Sequence, residues 1–100
     1  MTITKTNEDG KITLSLDGWL DTLSSPELAA EIDAITEAKS IVLDFDKVEY
    51  IASSGLRQVV ACHRKAKELG AWFSINNAGK EIISIFRLTG LDKKIIVTEK

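Results

Sequence analysis

Residues 40–60 read SIVLDFDKVEYIASSGLRQVV, and the change of hydrophobic period along this stretch decides the fold. Ser40-Ile41-Val42-Leu43-Asp44-Phe45 is apolar at almost consecutive positions. That is the pattern of a central strand covered by helices on each side, and such strands pair in parallel. From Ser54 to Leu69 the period lengthens to that of a helix, with Leu56, Val59, Val60, His63, Ala66 and Leu69 on one stripe. Gly70 is suited to the left-handed conformation that ends a helix. Between strand and helix stands Ile51-Ala52-Ser53-Ser54-Gly55, which sets two adjacent hydroxyls at the junction.

Working outward, TITKTNEDGKITLSL (2–16) places Ile3, Ile12, Leu14 and Leu16 in alternation with hydroxyls and lysines, and Asn7 to Gly10 supplies turn residues. An antiparallel hairpin with one buried face is expected. Ser24 and Glu27 have the spacing of a capping box, and Leu28, Ile32 and Ile35 share a helical face, so a first helix is expected from about Ser25 to Ala38. Downstream, Ala71–Ile75 reads as a strand. Lys80–Leu88 reads as a third helix built on Ile82, Ile83 and Phe86 and closed by Gly90, and Ile95–Val97 as a last short strand. The predicted class is α/β: a mixed, largely parallel sheet with an N-terminal hairpin, three or more helices and right-handed crossovers. Loops after parallel strands gather at one sheet edge, where open α/β sheets place their sites, and IASS is expected to lie in such a loop.

One hundred residues, 44% hydrophobic and 28% charged, fit one domain spanning 1–100. No apolar run approaches the roughly 18 residues a membrane span needs, and MTITKTNEDG lacks a basic region followed by an apolar stretch. A cytoplasmic protein without membrane insertion is expected. The single cysteine, Cys62, excludes an internal disulfide and cannot build a zinc site alone, and a formal charge of −2 gives no reason to expect nucleic acid. Neither a metal nor a cofactor is expected.

The serine pair has three chemical readings. A nucleophile elbow needs glycine two residues before and two after its serine; around Ser53 only Gly55 is present, with Ile51 at the other position. The one histidine, His63, lies ten residues on in the same helix, roughly 13 to 15 Å away, and cannot serve as base. Catalysis is therefore the weakest reading. A second reading has Ser53 or Ser54 capping the helix by accepting hydrogen bonds from free amides, worth roughly 1 kcal/mol. The third is a switch, because a phosphate there would meet the positive end of the helix dipole and add about −1.5 to −2 charges. The residues by themselves leave cap and switch open.

The stretch VLDFDKVEYIASSGLRQVV resembles the signature of the STAS domain, as found in bacterial anti-sigma-factor antagonists: an apolar strand ending in Asp, a short turn, then Asp-Ser-Ser-Gly-Leu opening a helix. Gly18-Trp19-Leu20-Asp21 with Ser25-Pro26-Glu27-Leu28 is similar to the family's Gly-Glu-Leu-Asp and Pro-Glu-Leu segment. Phe86-Arg87-Leu88-Thr89-Gly90-Leu91-Asp92 is similar to its Leu-Thr-Gly-Leu. The resemblance implies a non-enzymatic binding module whose phosphoacceptor is Ser54, with Ser53 as the alternative. It implies an anti-sigma factor that is also a serine kinase as partner, a serine phosphatase that resets the cycle, and weak self-association. Trp19, Asp21, Ser53, Ser54, Gly55, Leu56 and Arg57 are the expected partner-binding residues.

Two positions depart from the family pattern. Ala52 stands where many members carry an aspartate, and Trp19, expected on a loop, stands where a glutamate is common. Trp19 is either a partner anchor or a ring folded over the sheet edge, and Asp21 either a partner contact or a turn residue. Arg57, Arg64 and Lys65 give the second helix a basic outer face, solvated or facing an acidic partner. His63 is expected packed, Cys62 buried or half-buried, and Asn76, Asn77 and Gly79 in a tight loop. With Ala52 in that position, a non-phosphorylated adaptor similar to the small STAS subunit of lipid-transport ABC systems is the alternative, as is a stress-signalling scaffold.

Overall fold

The computed structural model describes residues 1–100. Strands β1 (Thr2–Glu8), β2 (Lys11–Leu20), β3 (Ser40–Ile51), β4 (Trp72–Ala78) and β5 (Ile96–Glu99) alternate, after the first two, with helices α1 (Ser25–Asp33), α2 (Ser53–Glu68) and α3 (Lys80–Thr89). One turn of 3-10 helix, Leu91–Lys93, precedes β5. The five strands form one sheet in chain order, β1-β2-β3-β4-β5, antiparallel between β1 and β2 and parallel at every later pair. The α/β class, the hairpin and the element order match the reading of the sequence.

The hairpin closes through Asp9 and Gly10, both at positive φ (53° and 92°), with Glu8 opposite Lys11. Two consecutive positive-φ residues give a turn whose twist matches that of the strands. Asn7 Oδ1 accepts the Gly10 amide at 3.0 Å. The Gly10 carbonyl in turn accepts the Lys39 amide at 2.8 Å, so the hairpin turn seats the start of β3.

All three helices share one core with one face of the sheet. Leu28 and Ile32 of α1, Val59, Cys62 and Ala66 of α2, and Ile82, Ile83 and Phe86 of α3 belong to a single buried cluster with Leu14, Leu43, Phe45, Phe73 and Ile75. The other face is different. Thr13, Val42 and Ser74 are in register across β2, β3 and β4, as are Ser15, Asp44 and Asn76. Val42 is buried but stands outside the cluster, and its row-mates are half-buried and polar. The expectation of helices on both faces of β3 is thus corrected. Val42 makes the strand look apolar on each side, yet small hydroxyl and amide groups flank it where a second helix layer would need large apolar ones.

Several boundaries also move. Helix α1 stops at Asp33 rather than Ala38, although Ile35 is still buried, because the chain from residue 34 must run back to the Gly10 carbonyl. Strand β2 continues through Leu20 and β3 through Ile51, each held by the other. Strand β4 takes in Asn76 and Asn77, which were expected in a loop; Asn77 has φ 61° and donates to Asp44 Oδ1 at 3.0 Å. On α2 the buried line is Gly55, Val59, Cys62 and Ala66, while Val60 and His63 are only half-buried. The expected stripe was rotated by about one residue. Gly70 and Gly90 follow their helices at φ 70° and 75°, as expected.

Cys62 is fully buried, and burial pushes its thiol up to about 12. Only roughly one molecule in ten thousand then carries a thiolate at pH 8. Modification by a disulfide reagent at that pH is expected to be slow in the folded protein and fast in urea; fast labelling without denaturant would contradict this packing.

Candidate functional site

Strands β3 and β4 pair only as far as Asp44 and Asn76. Beyond that point β3 continues against β2 alone, from Lys47 beside Asp17 to Ile51 beside Leu20, with register shifts along the way. The serine pair therefore stands at the tip of a two-strand extension. The expected loop is a single residue: Ala52 is extended (φ −93°, ψ 171°), and Ser53 is already helical. The Ala52 amide donates to the Leu20 carbonyl at 2.9 Å, which fixes where α2 begins.

The glycine that follows the serines is needed by the same carbonyl. A Cβ on Gly55 would lie 2.5 Å from the Leu20 oxygen and 2.9 Å from Ile51 Cγ1. No side chain tolerates that approach to backbone. Gly55 is accordingly buried, and its lack of a side chain lets α2 begin close against the Leu20 carbonyl.

Neither serine caps α2; no side chain does, and the first turn holds no acidic residue. The early amides of the helix, which have no intrahelical acceptor, remain without a side-chain acceptor. Ser53 is exposed and Ser54 half-buried, and Ser54 Oγ accepts a hydrogen bond from Thr22 Oγ1 at 3.1 Å. Thr22 belongs to the turn between β2 and α1, so the sheet extension and that turn meet at the Ser54 hydroxyl.

Asp21 organises this turn. Its Oδ1 accepts the amides of Leu23 and Ser24, each at 3.1 Å, and lies 3.1 Å from the Ser24 hydroxyl oxygen. The hydrogen bond from the Ser24 amide is the main reason its carboxyl sits below the usual aspartate value. Ser24, buried, donates to the Trp19 carbonyl at 2.6 Å and accepts the Asp21 amide at 2.9 Å. The expected capping box is therefore not formed. The Ser24 hydroxyl is spent on the turn, and Glu27 lies 3.8 Å from the terminal amine of Met1.

The two-strand extension and its turn also carry exposed apolar side chains. Trp19 lies on β2, not on a loop, opposite Tyr50 of β3, and their rings meet at 5.4 Å with a 55° tilt. Trp19 is 56% exposed and Tyr50 48%. Leu23, the neighbour of Thr22, is 88% exposed. Tyr50, Leu23 and Thr22 escaped the sequence reading, because only the β2–β3 register sets Tyr50 beside Trp19 and only the folded turn brings Thr22 to Ser54. Leu56 is half-buried, and Arg57 is exposed with no carboxylate within ion-pair distance. His63 stacks on Phe73 at 5.6 Å, and burial, with Lys67 and Lys94 adding to it, lowers its pKa. It takes no part here.

The family described as "Mlab, STAS domain" matches residues 3–98 of this sequence. The chain belongs to the STAS domain family. BtrV of Bordetella bronchiseptica, which carries the name of an anti-sigma factor antagonist, is 24% identical over 92 residues, covering 90% of this chain and 79% of BtrV. The crystal structure of an anti-sigma factor antagonist from Mycobacterium paratuberculosis superposes with a TM-score of 0.86 at 28% identity, covering 99% of this chain and 86% of that one. The Bacillus cell fate determinant SpoIIAA in its phosphorylated form shares the fold at a TM-score of 0.76 and 17% identity, with 96% and 90% covered. No helix of this STAS chain is long and apolar enough to cross a membrane.

Three substitutions test this geometry. Gly55→Ala is expected to cost about 1–3 kcal/mol through overpacking against the Leu20 carbonyl. Ser24→Ala is expected to cost about 1–3 kcal/mol by stripping partners from buried polar groups, whereas Thr22→Ala, at an exposed hydroxyl, stays within about 0.5 kcal/mol. Urea denaturation measures all three, and a neutral Gly55→Ala would refute the close approach.

Proposed function

We propose that this STAS chain is an anti-sigma-factor antagonist: a binding module that sequesters an anti-sigma factor acting also as a serine kinase, and so frees a sigma factor. Phosphorylation of Ser54 releases the partner, with Ser53 as the alternative acceptor, and a serine phosphatase restores binding. The observation that carries this reading is a half-buried hydroxyl at the uncapped start of α2, held by Thr22 at the end of the sheet extension on which Trp19 and Tyr50 are exposed. The antagonist names of BtrV and of the Mycobacterium paratuberculosis structure support the partner class, and the phosphorylated SpoIIAA supports the modification.

The physical logic of the switch is local. The helix start offers unoccupied amides and the positive end of the dipole, so a phosphate on Ser54 is tolerated by the fold. Arg57, one turn on, adds a cation of its own. In the complex the balance reverses. A partner that docks dry against the start of α2 excludes water there, and a dianion on Ser54 loses its hydration without a matching cation. Asp21, its Oδ1 engaged in the turn, holds the loop in place. The module works in the cytoplasm, and its cycle needs no cofactor and no reaction catalysed by this chain.

A second reading is favoured by one specific observation. Ala52 puts an uncharged residue at the helix N-cap where many relatives carry aspartate, and an adaptor of a lipid-transport ABC ATPase would use the same aromatic surface without phosphorylation.

Incubation with the cognate anti-sigma kinase and ATP, followed by peptide mass spectrometry, is expected to find one phosphoryl group on Ser54. Ser54→Asp is expected to keep the fold, stabilising it by a few tenths of a kcal/mol to about 1 kcal/mol, while weakening the complex at least tenfold. Trp19→Ala is expected to weaken the complex by about 1–3 kcal/mol with no change in unfolding midpoint. An unmodified Ser54 together with a stable ABC-ATPase complex would establish the adaptor instead.

A further inference from the structure

We infer that the opposite end of the molecule carries a second docking surface, built on Trp72 and Ile96, that receives an acidic, apolar-containing segment of another protein. Trp72 opens β4 and Ile96 opens β5; they are 79% and 60% exposed. Ser74 pairs with Ile96, and Trp72 lies two residues before Ser74 on the same side of β4, so both side chains leave the helix-free face at one corner of the sheet. Strand β5 ends the sheet, and no further strand covers this corner.

The corner is concave. At the rim of the sheet, where the helix-covered and helix-free faces meet, Trp72 and Ile96 line a cleft of about 290 Å³ together with His63, Ala71 and Phe73. That is room for one or two side chains. Lys67 and Lys94 complete its wall. No aspartate or glutamate lines the cleft, and neither lysine has a carboxylate within ion-pair distance, since the two ion pairs of the chain are Met1 with Glu27 and Lys100 with Asp46. Apolar lining beside two lysines without an ion-pair partner, in a chain whose net charge is −2, marks a local excess of positive charge. Both lysines line the same cleft as His63.

Charge complementarity and shape select the occupant. Exposed tryptophan beside an aliphatic side chain is the composition of an interface centre, and cations at its margin choose an acidic partner. A cleft of this size is filled by a leucine-like side chain. A bilayer offers no such protrusion, and two lysines are too few to hold anionic lipid by charge. The surface is also remote from the hydroxyl switch. Lys67 follows Ser54 by thirteen residues of α2, which is about 20 Å along the helix axis. The inference therefore stands whether or not Ser54 is phosphorylated, and it makes the chain a bridge with one partner at each end of α2.

The test uses the isotopically labelled full chain and a short synthetic peptide of alternating glutamate and leucine, followed by nuclear magnetic resonance. Shifts are expected at the Trp72 indole and the amides of residues 63–73 and 94–97, with Trp19 and Ser54 unmoved. Affinity is expected to fall at least roughly tenfold in Lys67→Glu/Lys94→Glu and on raising ionic strength from about 0.05 to 0.5 M. Trp72→Ser and Ile96→Ser, both at exposed positions, are expected to keep the unfolding midpoint and lose binding. Equal affinity for the matching glutamine–leucine peptide, shifts centred on Trp19 or Ser54, no binding of the acidic peptide, or binding only to phosphatidylglycerol vesicles would each overturn the proposal.

Discussion

The Leu20 carbonyl is the point on which this structure turns. It ends β2, accepts the amide of Ala52 at 2.9 Å, and lies where a Cβ on Gly55 would have to be. One oxygen thus fixes the end of β3 and the start of α2 within four residues. Any side chain at position 55 would push the helix off the sheet extension, and with it the two hydroxyls. Glycine is required there for a close backbone approach, not for an unusual φ, so the residue works through what it lacks.

From that constraint the chemistry of the tip follows. Because Ala52 has no polar side chain, the helix begins uncapped, and its amides are not engaged by any side chain. Because the turn at Asp21–Ser24 closes on itself through three side-chain hydrogen bonds, Thr22 is held where it reaches Ser54. Trp19 and Tyr50 leave exposed aromatic rings on the same two-strand extension. Helix α2 ends, about 20 Å away, beside a cleft that sets two lysines without an ion-pair partner beside apolar lining.

The hairpin, the three helices, the parallel strands and the helix-ending glycines were legible in residues whose pattern is local: Ile12, Leu14 and Leu16 in alternation, Ile82, Ile83 and Phe86 on one stripe, Gly70 and Gly90 after it. The serine pair stood out for the same reason. Misreadings arose where a residue answers to a distant neighbour. Val42 suggested a second helix layer because its apolar character is visible, whereas the Thr13 and Ser74 that flank it are set by register. Ser24 and Glu27 had capping-box spacing, yet the Ser24 hydroxyl found a better acceptor in the Trp19 carbonyl, five residues back.

The sequence by itself determined the class of the fold, the family signature and the identity of the residue at the tip, because each is written in periodicity or in short contiguous motifs. Tertiary structure alone decided that the helices share one face, that Tyr50 meets Trp19, that Thr22 holds Ser54, and that Gly55 is a spacer. The physical reason is that register and close packing are relations between segments tens of residues apart. A linear pattern records which side chains are apolar, but not which backbone oxygen they will meet.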